Sequence, residues 1–177
     1  MPALRHLTVA ALAAFAVSGC ATMTAGSYAQ RGVDFAQYHT YNWGPPDALP
    51  TGDPRLDANP FFEDHFEGAV EQQLARRGFG RVEDNPDVIV HYHASVTQRL
   101  EVHGVDGACT NGQDCQPRAS EYDAGTLVID VIDARTKKVV WRGWSQGVMN
   151  GVIANQDRLE RHIEESVRRM FEEFPGT

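Results

Sequence analysis

The sequence predicts an α+β fold: a two-layer sandwich in which a mainly antiparallel four-stranded sheet carries two helices on one face, in the order β-α-β-β-β-α. Three observations predict it. Residues 87–103 alternate apolar and polar, which defines one buried and one polar strand face. Residues 125–144 hold two apolar runs joined by a tight turn, so successive strands should pair as a meander. Two further segments, 60–77 and from 155 onward, each carry one apolar stripe at helical spacing that has to be buried.

The first strand is residues 38–43 (YHTYNW), rich in Tyr, Thr and Trp. The stretch "GPPDALPTGDP" then breaks regular structure. Asn59-Pro60 reads as an N-cap followed by proline at the first helical position. Phe62, Phe66, Val70 and Leu74 recur every fourth residue, and Gly78 supplies a left-handed C-terminal residue. The second strand, residues 87–103, places Val88, Val90, Tyr92, Ala94, Val96, Leu100 and Val102 on one face. His91, His93 and His103 share the other. Residues 104–118 form a Gly-rich polar loop. Residues 125–132 (GTLVIDVI) are apolar nearly throughout, as in a central strand covered on both sides. "DARTKK" is a tight turn, and "VVWRGW" returns as the fourth strand. The last helix starts near Asn155, and Leu159, Ile163, Val167, Met170, Phe171 and Phe174 form its stripe.

The formal net charge of −8 argues against nucleic acid as a partner. Binding to phosphates needs a basic patch, and none is present. Residues 1–19 are built like an export signal: Arg5 and His6, then the apolar run LTVAALAAFAV, then Ser18 and Gly19. The run is too short to span a bilayer as a helix. It ends V-S-G-C, which resembles the bacterial lipobox. That resemblance implies that Cys20 becomes the N-terminus and carries acyl chains. Each buried CH₂ contributes about 0.8 kcal/mol, so two or three chains hold a soluble domain to a membrane. Ala21 in place of Asp favours the outer membrane of a Gram-negative cell, with the domain facing the periplasm. Removing residues 1–19 takes away Arg5 and moves the net charge from −8 to −9. The expected layout is a signal peptide over 1–19, a lipidated tether over 20–27 and one globular domain over 28–177.

With Cys20 lipidated, Cys109 and Cys115 remain as an even pair in one loop of an oxidising compartment. A disulfide between them is expected, contributing about 2 kcal/mol through loop entropy.

The motifs "VDFAQYHTYNW", "GFGRVEDNPDVIVHYHA" and "GTLVIDVIDARTKKVVWRGWS", followed by a closing helix ending "FP", come in that order. Together they resemble the bacterial lipoproteins grouped as domain of unknown function 4136, over roughly residues 28–175. The resemblance implies a two-layer α/β domain on an envelope lipoprotein. It brings no known activity and no catalytic residues. The family's turn commonly reads Asp-x-x-Thr-Gly-Lys, whereas Lys137 stands here in place of Gly, so Lys137 is expected at positive φ.

Two constellations could carry chemistry. "GWSQG" matches the G-x-S-x-G nucleophile elbow with Ser145 at its centre, and His162 is the one histidine downstream. His91 and His93 could chelate zinc with a third ligand from a neighbouring strand, such as Asp130. Neither is complete. The reading is therefore a non-enzymatic envelope lipoprotein without cofactor or metal. It is a binding or structural module with a membrane on Cys20 and a possible envelope protein partner. The alternative is a metal-binding or hydrolytic periplasmic domain using His91 and His93 or Ser145.

Overall fold

The computed structural model describes residues 23–45, 50–57, 59–103 and 118–176. Six strands and two α-helices follow in the order β1 (Met23–Ala29), β2 (Thr40–Trp43), α1 (Pro60–Ala75), β3 (Gly80–Arg81), β4 (Val88–His103), β5 (Arg118–Asp133), β6 (Val139–Val148) and α2 (Gln156–Met170). The strands form one mixed sheet in the spatial order β1-β6-β5-β4-β2-β3.

This corrects the expected mainly antiparallel four-stranded sheet. The β4-β5-β6 meander is antiparallel, and the short β5-β6 turn requires it for that pair. But β2 pairs in parallel with β4 and with β3. Helix α1 lies between β2 and its two partners in sequence, and a strand-helix-strand connection returns the chain in the same direction. The other addition is β1, which pairs antiparallel with β6 along its whole length. The segment 21–27 read as a tether; from Met23 onward it is sheet. Its sequence, MTAGSYA, is small and lacks alternation, so side chains do not announce it. Tertiary contact holds it instead. Met23 is buried, its Sδ accepts a hydrogen bond from Ser166 Oγ, and its carbonyl accepts from Arg169.

The helix boundaries follow their caps. Asn59 accepts from the Phe61 amide with Pro60 behind it, and Asn155 accepts from the Arg158 amide. Gly78 takes φ 84°, which lets the Phe79 amide reach back to the Leu74 carbonyl. Lys137 does adopt positive φ, at 58°.

Both helices pack on one face of the sheet. Phe62, Phe66, Val70 and Leu74 of α1 and Leu159, Ile163, Val167 and Met170 of α2 meet Val88, Val90, Ile129, Val131 and Trp141 in a single core. Trp141 turns back along its own strand over Gly143. A Cβ at residue 143 would sit 2.4 Å from the Trp141 ring, so only glycine fits. Arg77 closes one end of this core, its guanidinium 5.2 Å from the Phe171 ring and hydrogen-bonded to the Phe171 carbonyl.

The β4-β5 pair outruns the rest. β6 ends opposite Ala124, and the β4 edge is capped by the Val96 amide donating to the Thr51 carbonyl. Beyond that row, residues 97–103 and 118–123 continue as a two-stranded ribbon. The buried face expected for residues 87–103 therefore ends at Val96: Leu100 is 65% exposed and Val102 52%.

Candidate functional site

The sheet has two unlike faces. The alternation that turns Val90, Ile129 and Trp141 toward the helices turns their neighbours away, onto a face that carries neither helix. So residues 125–132 carry helices on one side only, whereas their apolar run suggests a strand covered on both. Ile89, Val128, Ile132 and Trp144 stand on this second face, each half-buried.

Cross-strand register arranges polar groups over that apolar base. Tyr28, Arg142, Asp130 and His91 form one row across β1, β6, β5 and β4. Arg142 donates from both Nε and Nη2 to the two Asp130 oxygens, at 2.6 Å each. The bond to Asp130 raises the Arg142 pKa. Tyr28 stands at the sheet edge, 72% exposed. The next row runs Gly26, Trp144, Val128 and His93. At the ribbon end of the same face, Thr24, Glu101, Ser120, Tyr122, Gln146 and Val148 line a groove of about 390 Å³.

His91 and His93 do share a face, as their spacing predicts. Asp130 lies directly opposite His91, but its carboxylate is committed to Arg142. A metal would have to displace a bidentate guanidinium. Among the described residues no three His, Cys, Asp or Glu side chains converge on a metal position. The His103 side chain, Cys20, Cys109 and Cys115 lie outside the described residues.

Ser145 lies mid-strand in β6, paired with Leu127 and Ala25, and turned toward the helices. It is 2% exposed. A nucleophile elbow needs a sharp strand-to-helix turn that exposes the serine, and here the strand continues to Val148. The fold does bring Ser145 and His162 to the same cavity between α1, α2 and the sheet. That cavity measures about 20 Å³, room for one water. No carboxylate lines it, and burial lowers the His162 pKa. The arrangement can hold a solvent molecule.

Tyr28, Arg142 and Trp144 went unremarked in the sequence. For Arg142 and Trp144 the signal is present in "VVWRGWSQG", where Trp141, Gly143 and Ser145 alternate with Arg142, Trp144 and Gln146. Without β1 opposite, nothing marked the second set as a surface.

Residues 25–176 match the family described as Domain of unknown function (DUF4136). The chain belongs to DUF4136. The match spans all six strands save the first residues of β1, so the fold described here is that of a DUF4136 domain. Among solved structures, a PDZ domain protein from Parabacteroides distasonis is similar at 14% identity and TM-score 0.56, over 88% of this chain and 36% of that one. The DUF4136 chain thus spans about a third of that protein's length, and at this identity the two share a fold alone. Weaker likenesses are a PelC dodecamer from Paraburkholderia phytofirmans (13% identity, 84% of this chain and 96% of that one, TM-score 0.44) and a minor lipoprotein from Acinetobacter baumannii (12% identity, 76% and 91%, TM-score 0.41). No curated protein matches the sequence. Among the described residues, no helix is long and apolar enough to cross a membrane.

Proposed function

We propose that this DUF4136 protein is a lipid-anchored envelope lipoprotein, held by acyl chains on Cys20 to the outer membrane and facing the periplasm. It works without catalysis, as a binding or structural module, and its binding surface is the helix-free face of the sheet. One observation carries the reading: the unlike faces. Helices cover one side, while the other keeps Trp144, Val128, Ile89 and Ile132 in reach of a partner. The Asp130–Arg142 pair and Tyr28 supply polar contacts at fixed positions. A flat apolar base with fixed polar groups suits a protein partner.

A photo-crosslinking amino acid at position 28 tests this in cells. A discrete adduct, identified by mass spectrometry, is expected from position 28 and none from position 72 on α1. Adducts from position 72 alone would place the binding surface on the helices and overturn the reading. The metal-binding alternative predicts micromolar zinc affinity that disappears in the His91→Ala, His93→Ala double variant. With Asp130 engaged by Arg142, titration of the purified protein should give no such binding.

A further inference from the structure

Register sets the direction in which the chain enters the sheet. Met23 pairs with Gly147, Gly147 with Gly125, and Gly125 with Val96, so these four residues form one row. β1 runs antiparallel to β6, β6 to β5, and β5 to β4. Going backward from Met23 toward Cys20 therefore points the same way as going forward from Val96 into the β4-β5 ribbon. The attachment point and the ribbon leave the sheet at the same end.

Their lengths are unequal. Cys20 is three residues before Met23, which gives a reach of about 10 Å at full extension. The ribbon runs seven residues past Val96 to His103, or about 23 Å. A membrane holding Cys20 cannot stand farther from the Met23 row than the short connection allows. The ribbon, the longer of the two, can then reach a bilayer that holds Cys20.

The ribbon's side chains are sorted for that contact. On one face Leu100 and Val102 are 65% and 52% exposed, with Ala119 paired to Val102. The other face holds Thr97, Arg99 and Glu101, with Ser120 and Tyr122 across from them. Glu121 and Asp123 on the apolar side sit nearer the sheet, opposite Leu100 and Gln98. Apolar character thus increases away from the sheet. The chain is acidic overall, so charge attraction to an anionic surface is not what brings the ribbon there.

From these observations we propose that the β4-β5 ribbon seats its Leu100–Val102 face in the interfacial layer of the same membrane that holds Cys20. This rests on the lipid-anchor reading above and adds a second membrane contact. It sets the orientation of the domain: the sheet stands on its ribbon end, and the Asp133–Lys138 turn faces away from the bilayer.

The experiment uses the full-length, membrane-purified protein in vesicles of phosphatidylethanolamine with a minority of phosphatidylglycerol. An environment-sensitive fluorescent amino acid is placed at position 100, at 102 or at 136 in the distal turn. Lipids bearing a nitroxide just below the headgroup should quench positions 100 and 102 and blue-shift their emission, leaving position 136 unchanged. Mass spectrometry of the N-terminal peptide runs alongside. Acylated Cys20 with unquenched labels at both 100 and 102 would overturn the ribbon contact and leave the anchor standing. An unacylated N-terminus would overturn the anchor, and the ribbon proposal with it. Labels exposed on vesicles but shielded on native membranes would assign the ribbon to a protein partner instead, and that too overturns the proposal.

Discussion

Asp133 shows how much one side chain can organise. It is buried at the start of the β5-β6 turn. It accepts from the Thr136 amide at 2.6 Å and from the Tyr38 hydroxyl at 2.8 Å. The bond from the Thr136 backbone is the main cause that lowers its pKa below the ordinary 3.8, and burial together with the bond to Asp133 pushes Tyr38 up to about 12. Asp87 is lowered likewise, first by the His39 amide. For a lowered carboxyl the unfolded chain takes up its proton first. Its contribution is then complete above about 3.8 and is lost as the pH falls through the folded-state value. Denaturant midpoints should therefore show no loss from these two groups at neutral pH and a decline below about pH 4. That decline should be shallower in Asp133→Asn or Asp87→Asn. Two backbone positions make sharper tests. Lys137→Gly relieves a positive φ and should stabilise by about 1 kcal/mol, or roughly 2–4 °C in melting temperature. Gly143→Ala drives a methyl into the Trp141 ring and should cost about 1–3 kcal/mol by the same measurement. The Lys137 conformation follows from the family resemblance, because the related turns commonly place Gly there. The Gly143 contact was not legible in the sequence, because it depends on where the Trp141 ring folds.

Among the elements, those whose own side chains encode their burial were the legible ones. The stripe of α1, its Asn59 cap, and the alternation of β4 as far as Val96 all stand where the sequence placed them. Phe66→Ala, at the centre of the α1 stripe and wholly buried, should cost about 3–5 kcal/mol in chemical denaturation. What the sequence missed were elements defined by their neighbours. β1 lacks a regular alternation and exists because β6 offers it an edge. β3 is two residues long and follows from the Gly78 cap. The parallel pairing of β2 was implicit in the strand-helix-strand order; the β5-β6 hairpin and the sequential order of β4 and β5 point instead to an antiparallel sheet. The alternation of β4 continued past the core and looked buried, since periodicity reports which face a residue occupies and not whether anything covers it.

For the whole molecule, the anchor and the loop cysteines give two tests that leave the core untouched. Cys20→Ser should yield unprocessed or soluble periplasmic protein, read by fractionation and by the mass of the N-terminal peptide. The Cys109→Ser, Cys115→Ser double variant should keep its fold and lose about 2 kcal/mol, and the native protein should show no titratable thiol. The candidate surface was only half legible at this scale. His91 and His93 were seen, but Arg142, Trp144 and Tyr28 gain meaning from the order β1-β6-β5, which joins the two ends of the chain. That order also settles how the domain bears load. Tension applied just before Met23 runs along the axis of β1, and all seven of its residues are paired in register with β6. Because antiparallel hydrogen bonds lie across the strands, such a pull shears the whole β1–β6 seam at once instead of peeling it one bond at a time. If the proposed anchor holds the molecule at that point, a pull along β1 loads all seven pairs together, so the seam resists as a unit.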